Sequence, residues 1–324
     1  MPGRIVGPLP LSYTRRMERL DGGSAVPEAL RGGIVALGNF DGFHRGHQAV
    51  VARAVERARA ESRPVLVATF DPHPVRFFRP DTPPFRLTTL DQRERLFAAA
   101  GAEAMIVFRF DAALAATSAE DFAAERLLRL IGAAGVVTGE DFTYGRGRGG
   151  NIAVLEEAGA RLGFSVDAVG PVSDGEGPIS SSRIRDALVA GDCDTAARLL
   201  TRPFAIEGVV EHGDKRGRAI GYPTANIALG PYLRPRFGVY AVRGRLADGR
   251  ILEGAANLGV RPTFEPPKEL LEPDFFDFDG DLYGQLVEVE LISFLRPEAK
   301  YDCLDALKAQ MAADCHEARR RLAA

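Results

Sequence analysis

The sequence predicts an α/β domain with a Rossmann-like parallel sheet, followed by a small antiparallel β-barrel domain and a C-terminal helix. Three observations support this. The chain has 324 residues, enough for about two domains. Its first half alternates apolar strand segments with helical patterns, which is typical of βαβ units. After Pro203 the pattern changes to short strands separated by Gly- and Pro-rich turns, which indicates a barrel.

The elements of the first half follow from apolar periodicity and from capping signals. Thr89 and Gln92 form a capping-box pattern, and Ser118 is a candidate N-cap. Because ligands of parallel sheets bind beyond the carboxyl ends of the strands, the loops after the strands are the candidate sites. The predicted strands are Ile34–Leu37, Val65–Thr69, Ala104–Phe108, Val136–Thr138 and Ser165–Val169, and the predicted helices are Gly46–Ala60, Thr89–Ala100, Ser118–Ile131 and Ile152–Leu162.

The second half is predicted to begin with two linking helices and to end with a long helix. We expect the domains to cover residues 1–186 and 187–324, with the boundary between Arg185 and Pro203. The predicted helices are Ser182–Ala190, Asp194–Leu200 and Leu304–Leu322, and the predicted strands are Ala205–Glu211, Val239–Leu246, Ile251–Asn257 and Leu286–Phe294.

Composition excludes several classes of protein. The net charge of −3 does not favour nucleic acid as a partner, because neither half is strongly basic. Only four of the 41 basic residues are lysine, and no P-loop motif occurs, so a P-loop NTPase is excluded. The three cysteines form no C-x-x-C pair, and no apolar stretch is long enough to span a bilayer. We therefore expect free, buried thiols, no membrane association and a cytoplasmic location.

The most informative segment runs from Gly38 to His47, between a strand and a helix. Its glycines permit a tight turn, and His44 and His47 are spaced to lie on one face of the helix start. The helix N-terminus favours a phosphate, and two imidazoles can donate hydrogen bonds to phosphoryl oxygens. A metal site with His73 as a third ligand is the weaker alternative. The nucleotide-binding candidates in this segment are Gly38, Asn39, Phe40, Asp41 and Gly46.

This segment resembles the H-x-G-H signature of the nucleotidyltransferase superfamily, which transfers AMP or CMP to phosphorylated acceptors. The resemblance implies that His44 and His47 stabilise the triphosphate in the transition state. A second superfamily motif resembles the segment Ile179–Arg185. Hydroxyls and guanidiniums at a helix start can bind the β- and γ-phosphates. The candidates there are Ser181, Ser182, Arg183 and, as a catalytic residue, Arg185.

A second dense segment runs from Gly213 to Asn226. Glycines at a spacing of four indicate a flexible backbone that can cover phosphates, with Lys215 as a counter-charge. Thr224 and Asn226 carry neutral oxygens on one face of an extended chain, and such ligands suit Mg²⁺ that is also held by ATP. A glycine-rich hairpin with solvated charges is the alternative. The nucleotide-binding candidates are Gly213, Lys215, Gly217, Gly221 and Pro223.

This segment, with Asn257–Thr263 and Leu271–Gly284, resembles the riboflavin kinase family. The resemblance implies a six-stranded barrel, Thr224 and Asn226 at Mg²⁺-ATP, Asn257 at the flavin, and Glu272 as the general base on the ribityl hydroxyl. A base is chemically required, because that hydroxyl must lose its proton. The sequence departs from the family at Asp274, where a histidine is frequent.

Together the two halves resemble the bacterial bifunctional riboflavin kinase/FAD synthetase family. The resemblance implies phosphorylation of riboflavin to FMN and adenylylation of FMN to FAD with release of pyrophosphate, both with Mg²⁺ and ATP. Asp141 and Phe142 are then candidates for binding the flavin ring. The alternatives are a nucleotidyltransferase with a single activity and another acceptor, or a catalytically inactive flavin-binding regulator. The sequence does not indicate whether the chain forms an oligomer.

Overall fold

The computed structural model describes residues 17–211, 225–261 and 268–323. These residues divide into two compact units. The first comprises the chain up to Pro83 together with Thr88–Ser180, and the second comprises Pro84–Leu87 and the chain from Ser181 onwards. The ranges 1–186 and 187–324 remain a prediction of where the two functions divide.

The first unit contains a six-stranded sheet in the order β1-β4-β3-β2-β5-β6, and all pairings are parallel. This confirms the predicted parallel sheet. Strand β1 carried no sequence prediction, and it extends the sheet by pairing with β4. The strands are β1 (Glu18–Asp21), β2 (Ile34–Leu37), β3 (Val65–Asp71), β4 (Ala104–Arg109), β5 (Gly135–Gly139) and β6 (Ser165–Val169).

Helices connect these strands. The four predicted helices have bounds close to those expected, whereas the short helices at Pro74–Phe78 and Ala112–Ala116 were not predicted. Thr89 and Gln92 form the predicted capping box, and Ser118 accepts a hydrogen bond from the backbone of Asp121. The helices are α1 (Arg45–Glu61), α2 (Pro74–Phe78), α3 (Leu90–Ala99), α4 (Ala112–Ala116), α5 (Ala119–Asp121), which continues as a π-helical segment over Phe122–Ile131, and α6 (Ile152–Leu162). A short hairpin, β7 (Ser173–Asp174) and β8 (Gly177–Pro178), ends the unit.

Both faces of this sheet are buried. In β2, Ile34 and Ala36 join one hydrophobic cluster, whereas Val35 and Leu37 join another. This alternation explains why β2 consists of four consecutive apolar residues. In the sheet, β2 has β3 as its neighbour on one side and β5 as its neighbour on the other. The strand order therefore reverses at β2, where open α/β sheets bind ligands.

The second unit contains a six-stranded antiparallel sheet in the order β10-β13-β12-β11-β14-β9. Its first and last strands approach each other where Glu211 donates a backbone hydrogen bond of 2.8 Å to Asn226, so the barrel is nearly closed, as predicted. The strands are β9 (Phe204–Val209), β10 (Ile227–Ala228), β11 (Gly238–Leu246), β12 (Ile251–Arg261), β13 (Lys268–Phe275) and β14 (Leu286–Arg296).

In the described part of the second unit, the helices are α7 (Ser181–Ala190), α8 (Cys193–Leu200) and α9 (Leu304–Leu322). Strand β13 was not predicted, because Pro273 interrupts its pattern. The thiols are free, as expected, but only Cys193 is buried: Cys315 is half-buried, and Cys303, at the N-cap of α9, is exposed.

Candidate active sites

The loop between β2 and α1 has a constrained backbone. Phe40, Gly42 and Phe43 have φ values of 52°, 85° and 45°, in the left-handed region. This conformation costs a non-glycine residue roughly 1–3 kcal/mol. The rings of Phe40 and Phe43 are buried against Phe97, with centroid distances of 5.6 and 5.0 Å. Aromatic packing therefore holds the backbone on which the two histidines stand.

The two histidines form a stacked pair at the start of α1. Their ring centroids lie 3.6 Å apart with an angle of 19° between the planes. His44 is the N-cap, and its Nδ1 accepts the backbone N–H of His47 at 3.4 Å. The edge of Phe40 contacts His47 at a centroid distance of 5.3 Å. The structure thus places both imidazoles together at a helix N-terminus, where an anion is favoured.

The alternative metal ligand, His73, has another contact. It is the N-cap of α2, and its Nδ1 accepts the backbone N–H of Val75 at 3.2 Å. Within the described parts of the chain, no group of three or more His, Cys, Asp or Glu side chains is arranged to hold a metal ion.

Asp41 ties the loop to the residues that precede α3. Its carboxylate is buried and accepts the backbone N–H of Thr88 at 3.1 Å. The hydroxyl of Thr88 in turn accepts the backbone N–H of Gly42 at 2.9 Å. These reciprocal bonds fix the turn, so the structure gives Asp41 a role in shaping the loop.

Arg93, which the sequence analysis missed, connects the loop after β2 to strand β3. Its buried guanidinium donates to the carbonyl of Asn39 and to the hydroxyl of Thr69, both at 3.0 Å. The sequence feature that could have identified Arg93 is its position on the apolar face of α3, beside Leu96 and Phe97. The side-chain oxygen of Asn39 is buried and has no hydrogen-bond partner among the described residues, so a ligand could supply one.

The first motif also adjoins the beginning of the second. A methyl group added to Gly46 would lie 3.1 Å from the ring of His44 and 3.6 Å from the carbonyl oxygen of Ile179. A larger side chain at Gly46 would therefore displace one of these groups. Ser181, Ser182 and Arg183 follow in the first turn of α7.

Arg185 contacts a short segment that belongs to the second unit. Its Nε donates to the carbonyl oxygen of Phe85 at 2.9 Å, and its guanidinium carbon lies 5.2 Å from the centroid of that ring. The predicted phosphate contact of Arg185 stays a prediction.

The flavin candidates of the first unit lie in the loop after β5. Asp141 is exposed, and Phe142 is half-buried and stacks on Tyr144, with ring centroids 5.9 Å apart and an angle of 9°. Burial raises the pKa of the Tyr144 phenol to about 12, so its hydroxyl stays protonated at neutral pH.

Phe142 and Tyr144 belong to a continuous aromatic run that the sequence analysis did not identify. Consecutive ring centroids lie 5.4 to 6.3 Å apart. The run ends at Phe78, which is 65% exposed although it is a large apolar residue. The sequence feature that could have indicated this run is the Phe77-Phe78 pair, which follows shortly after a predicted strand. The rings follow the order Phe78, Phe110, Phe70, Phe122, Tyr144 and Phe142.

The second unit contains a cavity of about 640 Å³ between its strands and α9. This volume lies within the usual range of small-molecule sites. Strands β11 and β12 provide apolar lining through Val239, Ala255 and Ala256, and α9 provides Leu307 and Met311. The cavity is thus apolar on two sides, which suits a flat aromatic ligand.

Two predicted site residues face each other at this cavity. Asn257 and Glu272 are paired across β12 and β13, and both line the cavity. Glu272 forms an ion pair with Arg261, and the amide of Asn257 donates to Glu298 at 3.1 Å. The strand register therefore brings the predicted base and the predicted flavin contact together.

Helix α9 is attached to the sheet by a bidentate ion pair. Arg296 donates to the two carboxylate oxygens of Asp314 at 2.8 and 2.6 Å, and Gln310 adds a third hydrogen bond at 3.0 Å. The Asp314 side chain is only 9% exposed. This pair holds the helix that forms one wall of the cavity.

Much of the predicted phosphate loop lies outside the described residues, namely Gly213, Lys215, Gly217, Gly221, Pro223 and Thr224. Asn226 is described and buried, and its backbone oxygen accepts the bond from Glu211 that nearly closes the barrel.

The described residues of the second unit also enclose a smaller cavity of about 370 Å³. Ala225, Pro273 and Phe275 line it, together with the acidic loop Phe278–Tyr283. Because side chains alternate along a strand, β13 presents Pro273 and Phe275 to this cavity and Glu272 and Asp274 to the larger one.

Comparisons with known proteins agree with this arrangement. The family model for FAD synthetase matches residues 26–183, and the family model for riboflavin kinase matches residues 200–322. A solved structure described as a macrolide-efflux protein from Streptococcus pneumoniae superposes with a TM-score of 0.82 and 32% identity, covering 92% of this chain and 97% of that one. Among the residues described here, no helix is long and apolar enough to cross a membrane.

Curated relatives match most of the chain and carry the description bifunctional riboflavin kinase/FMN adenylyltransferase. The protein from Escherichia coli K12 is 39% identical, covering 87% of this chain and 90% of its own length. The protein from Pseudomonas fluorescens is 40% identical, with coverages of 89% and 93%. The protein from Bacillus subtilis is 35% identical, with coverages of 90% and 93%. The chain therefore belongs to the family of bifunctional riboflavin kinase/FMN adenylyltransferases.

Proposed function

We propose that the second unit phosphorylates riboflavin with ATP and that the first unit joins the resulting FMN to the AMP group of a second ATP. Both activities follow from membership of the family, in which both domain models match this chain. The assignment of individual residues is our proposal. It rests above all on the pairing of Asn257 with Glu272 at a cavity of suitable size for a flavin.

In the kinase step, riboflavin occupies the larger cavity with its terminal ribityl hydroxyl at Glu272. The Glu272 carboxylate accepts the hydroxyl proton as the oxygen attacks the γ-phosphorus of ATP, and ADP leaves. The ion pair with Arg261 orients this carboxylate. Asn257 contacts the flavin from the neighbouring strand.

ATP is proposed to reach the kinase site from the smaller cavity and the adjacent phosphate loop. The neutral oxygens of Asn226 and Thr224 are suited to Mg²⁺ whose charge is balanced mainly by phosphates. Bound there, the ion would neutralise charge on the transferring phosphoryl group. Thr224 lies outside the described residues.

In the adenylyl transfer step, a phosphate oxygen of FMN attacks the α-phosphorus of ATP, and pyrophosphate leaves. His44, His47 and the backbone N–H groups at the start of α1 are proposed to donate hydrogen bonds to the triphosphate as negative charge develops. Ser181, Ser182, Arg183 and Arg185 are proposed to bind the leaving phosphates.

The flavin ring of FMN is proposed to stack against the exposed end of the aromatic run, at Phe78, or against Phe142. An exposed aromatic side chain supported by a row of buried rings provides a rigid flat surface. Asp141 lies next to Phe142 as a hydrogen-bond acceptor for the ring.

The free thiols support the proposal of a cytoplasmic location, since a reducing compartment keeps such cysteines unpaired.

Product analysis tests the proposed function. Purified protein incubated with riboflavin, ATP and Mg²⁺ should yield FMN and then FAD on chromatography, and FMN supplied directly should yield FAD. A folded protein that forms neither product would refute the proposal. A protein that forms FAD only from supplied FMN would support the single-activity alternative.

A further inference from the structure

Asp274 occupies a distinctive place in the larger cavity. It follows Glu272 by two residues on β13, so both carboxyl groups lie on the same face of the strand and line the same cavity. Residues two apart on a strand are separated by about 7 Å. Two carboxyl groups at this spacing can contact one extended ligand at two points.

The carboxyl group of Asp274 differs from the other carboxyl groups discussed at this cavity in its contacts with the described residues. It is half-buried and makes no hydrogen bond or ion pair with any residue that the structure describes. By contrast, Glu272 pairs with Arg261, Asp314 with Arg296, and Glu298 accepts the amide of Asn257. Because partly buried carboxylates without a donor are unfavourable, a donor from a ligand would compensate.

The surroundings of Asp274 also indicate that a ligand in the cavity could reach its carboxyl group. Burial raises the pKa of Asp274 to about 6. Burial, and then the charge of Asp274, raises the pKa of the Cys315 thiol on α9 to about 11. Asp274 on β13 and Cys315 on α9 both line the larger cavity, so the carboxyl group lies near α9. The family motif frequently has a histidine here, so the group belongs to this chain's own version of the site.

We propose that Asp274 is a specificity-determining residue that accepts a hydrogen bond from a hydroxyl of the polyol chain of riboflavin. The inference rests on the proposed function, in which the terminal hydroxyl of that chain lies at Glu272. A distance of about 7 Å spans a few carbons of the chain, so Asp274 reaches an inner hydroxyl. The tricyclic ring would then occupy the apolar part of the cavity beyond it.

The first test measures kcat and KM for riboflavin in Asp274→Ala and Asp274→Asn at pH 8, where the carboxyl group is ionised. Loss of a hydrogen bond to a charged acceptor should raise KM about tenfold to a hundredfold in Asp274→Ala, with kcat little changed. Asp274→Asn retains an acceptor oxygen and should show a smaller increase. Asp248→Ala, which removes an exposed carboxylate in a turn of the same unit, is the matched control and should leave both constants unchanged.

The second test uses 2′-, 3′- and 4′-deoxyriboflavin, and lumiflavin, which has no polyol chain. One deoxy analogue should bind the wild-type protein more weakly than riboflavin does. The Asp274→Ala variant, by contrast, should bind that analogue at least as tightly as it binds riboflavin. Lumiflavin should bind both proteins equally. If Asp274→Ala is unstable, the isosteric Asp274→Asn variant with the same analogues serves instead.

Three outcomes would overturn the inference: a KM within twofold of wild type, an effect confined to kcat, or an equal loss of affinity for lumiflavin. The last result would place Asp274 at the ring or indicate a general distortion. A wild-type protein that forms no FMN would instead refute the proposed function. The two failures are therefore distinguishable.

Discussion

His44 offers a way to separate a structural role from a catalytic one in the same side chain. Its Nδ1 caps α1 by accepting the N–H of His47, and its ring stacks on His47 at the proposed phosphate site. His44→Ala removes both the cap and the imidazole. His44→Asn removes the imidazole but restores a side-chain oxygen at a position where Asn is among the best caps.

The magnitudes of the two effects differ enough to be resolved. Loss of an N-cap costs about 1 kcal/mol, which corresponds to a decrease in Tm of about 2–4 °C for a domain of this size. Loss of a preorganised donor to a developing anion lowers kcat about 100-fold to 1,000-fold. We therefore expect Ala to lower both Tm and the rate of FAD formation, and Asn to lower only the rate.

The assay follows FAD formation from supplied FMN and ATP by chromatography, with thermal unfolding measured on the same preparations. FMN formation from riboflavin is the internal control and should match wild type in both variants. The reasoning would be refuted if His44→Asn formed FAD at a rate near that of wild type. Equal destabilisation by Asn and Ala would refute the capping role.

Three further predictions concern other residues. Glu272→Gln should lower kcat of FMN formation by about 100-fold to 10,000-fold, because the proton acceptor is lost, while FAD formation from supplied FMN is unchanged in the same assays. Phe78→Ala should raise KM for FMN about threefold to tenfold, because stacking is lost, without lowering Tm. Phe78→Tyr keeps an aromatic ring and should leave KM near the wild-type value. Equal KM values in the two variants would argue against stacking. Because the pKa of Asp274 is raised from 3.8 to about 6 in the folded state, its ionisation destabilises the fold increasingly between these pH values and fully above about pH 6. Asp274→Asn should therefore raise Tm at pH 8 but give no gain well below both pKa values, and a gain that is independent of pH would show that desolvation of the charge is not the cause.

The sequence indicates local structure well where local chemistry decides it. The capping box at Thr89 and the strand β6 are found as predicted, and α9 has the predicted bounds. The histidine pair was also predictable, because a spacing of three residues at a helix start leaves little freedom. Strands β1, β10 and β13 were not predicted, since each depends on pairing with a distant strand, and the hairpin strands β7 and β8 were not predicted either.

Candidate site residues that act through contacts with distant parts of the chain were harder to predict from the sequence. Arg93 has no motif, and its function in the loop network depends on the approach of Asn39 and Thr69 from two other strands. The aromatic run likewise joins rings from separate loops. Such contacts are determined by packing of the sheet, and no local spacing encodes them.

The sequence by itself determined the parallel and antiparallel classes of sheet and indicated two domains and the residue types of both candidate sites, because these depend on periodicity, capping and short motifs. Only the tertiary structure decided which of those residues share a cavity. Asn257 meets Glu272 through strand register, and an ion pair between Arg296 and Asp314 holds α9 at the cavity that Asp274 lines. Register and helix docking are set by burial of side chains that lie far apart in the chain.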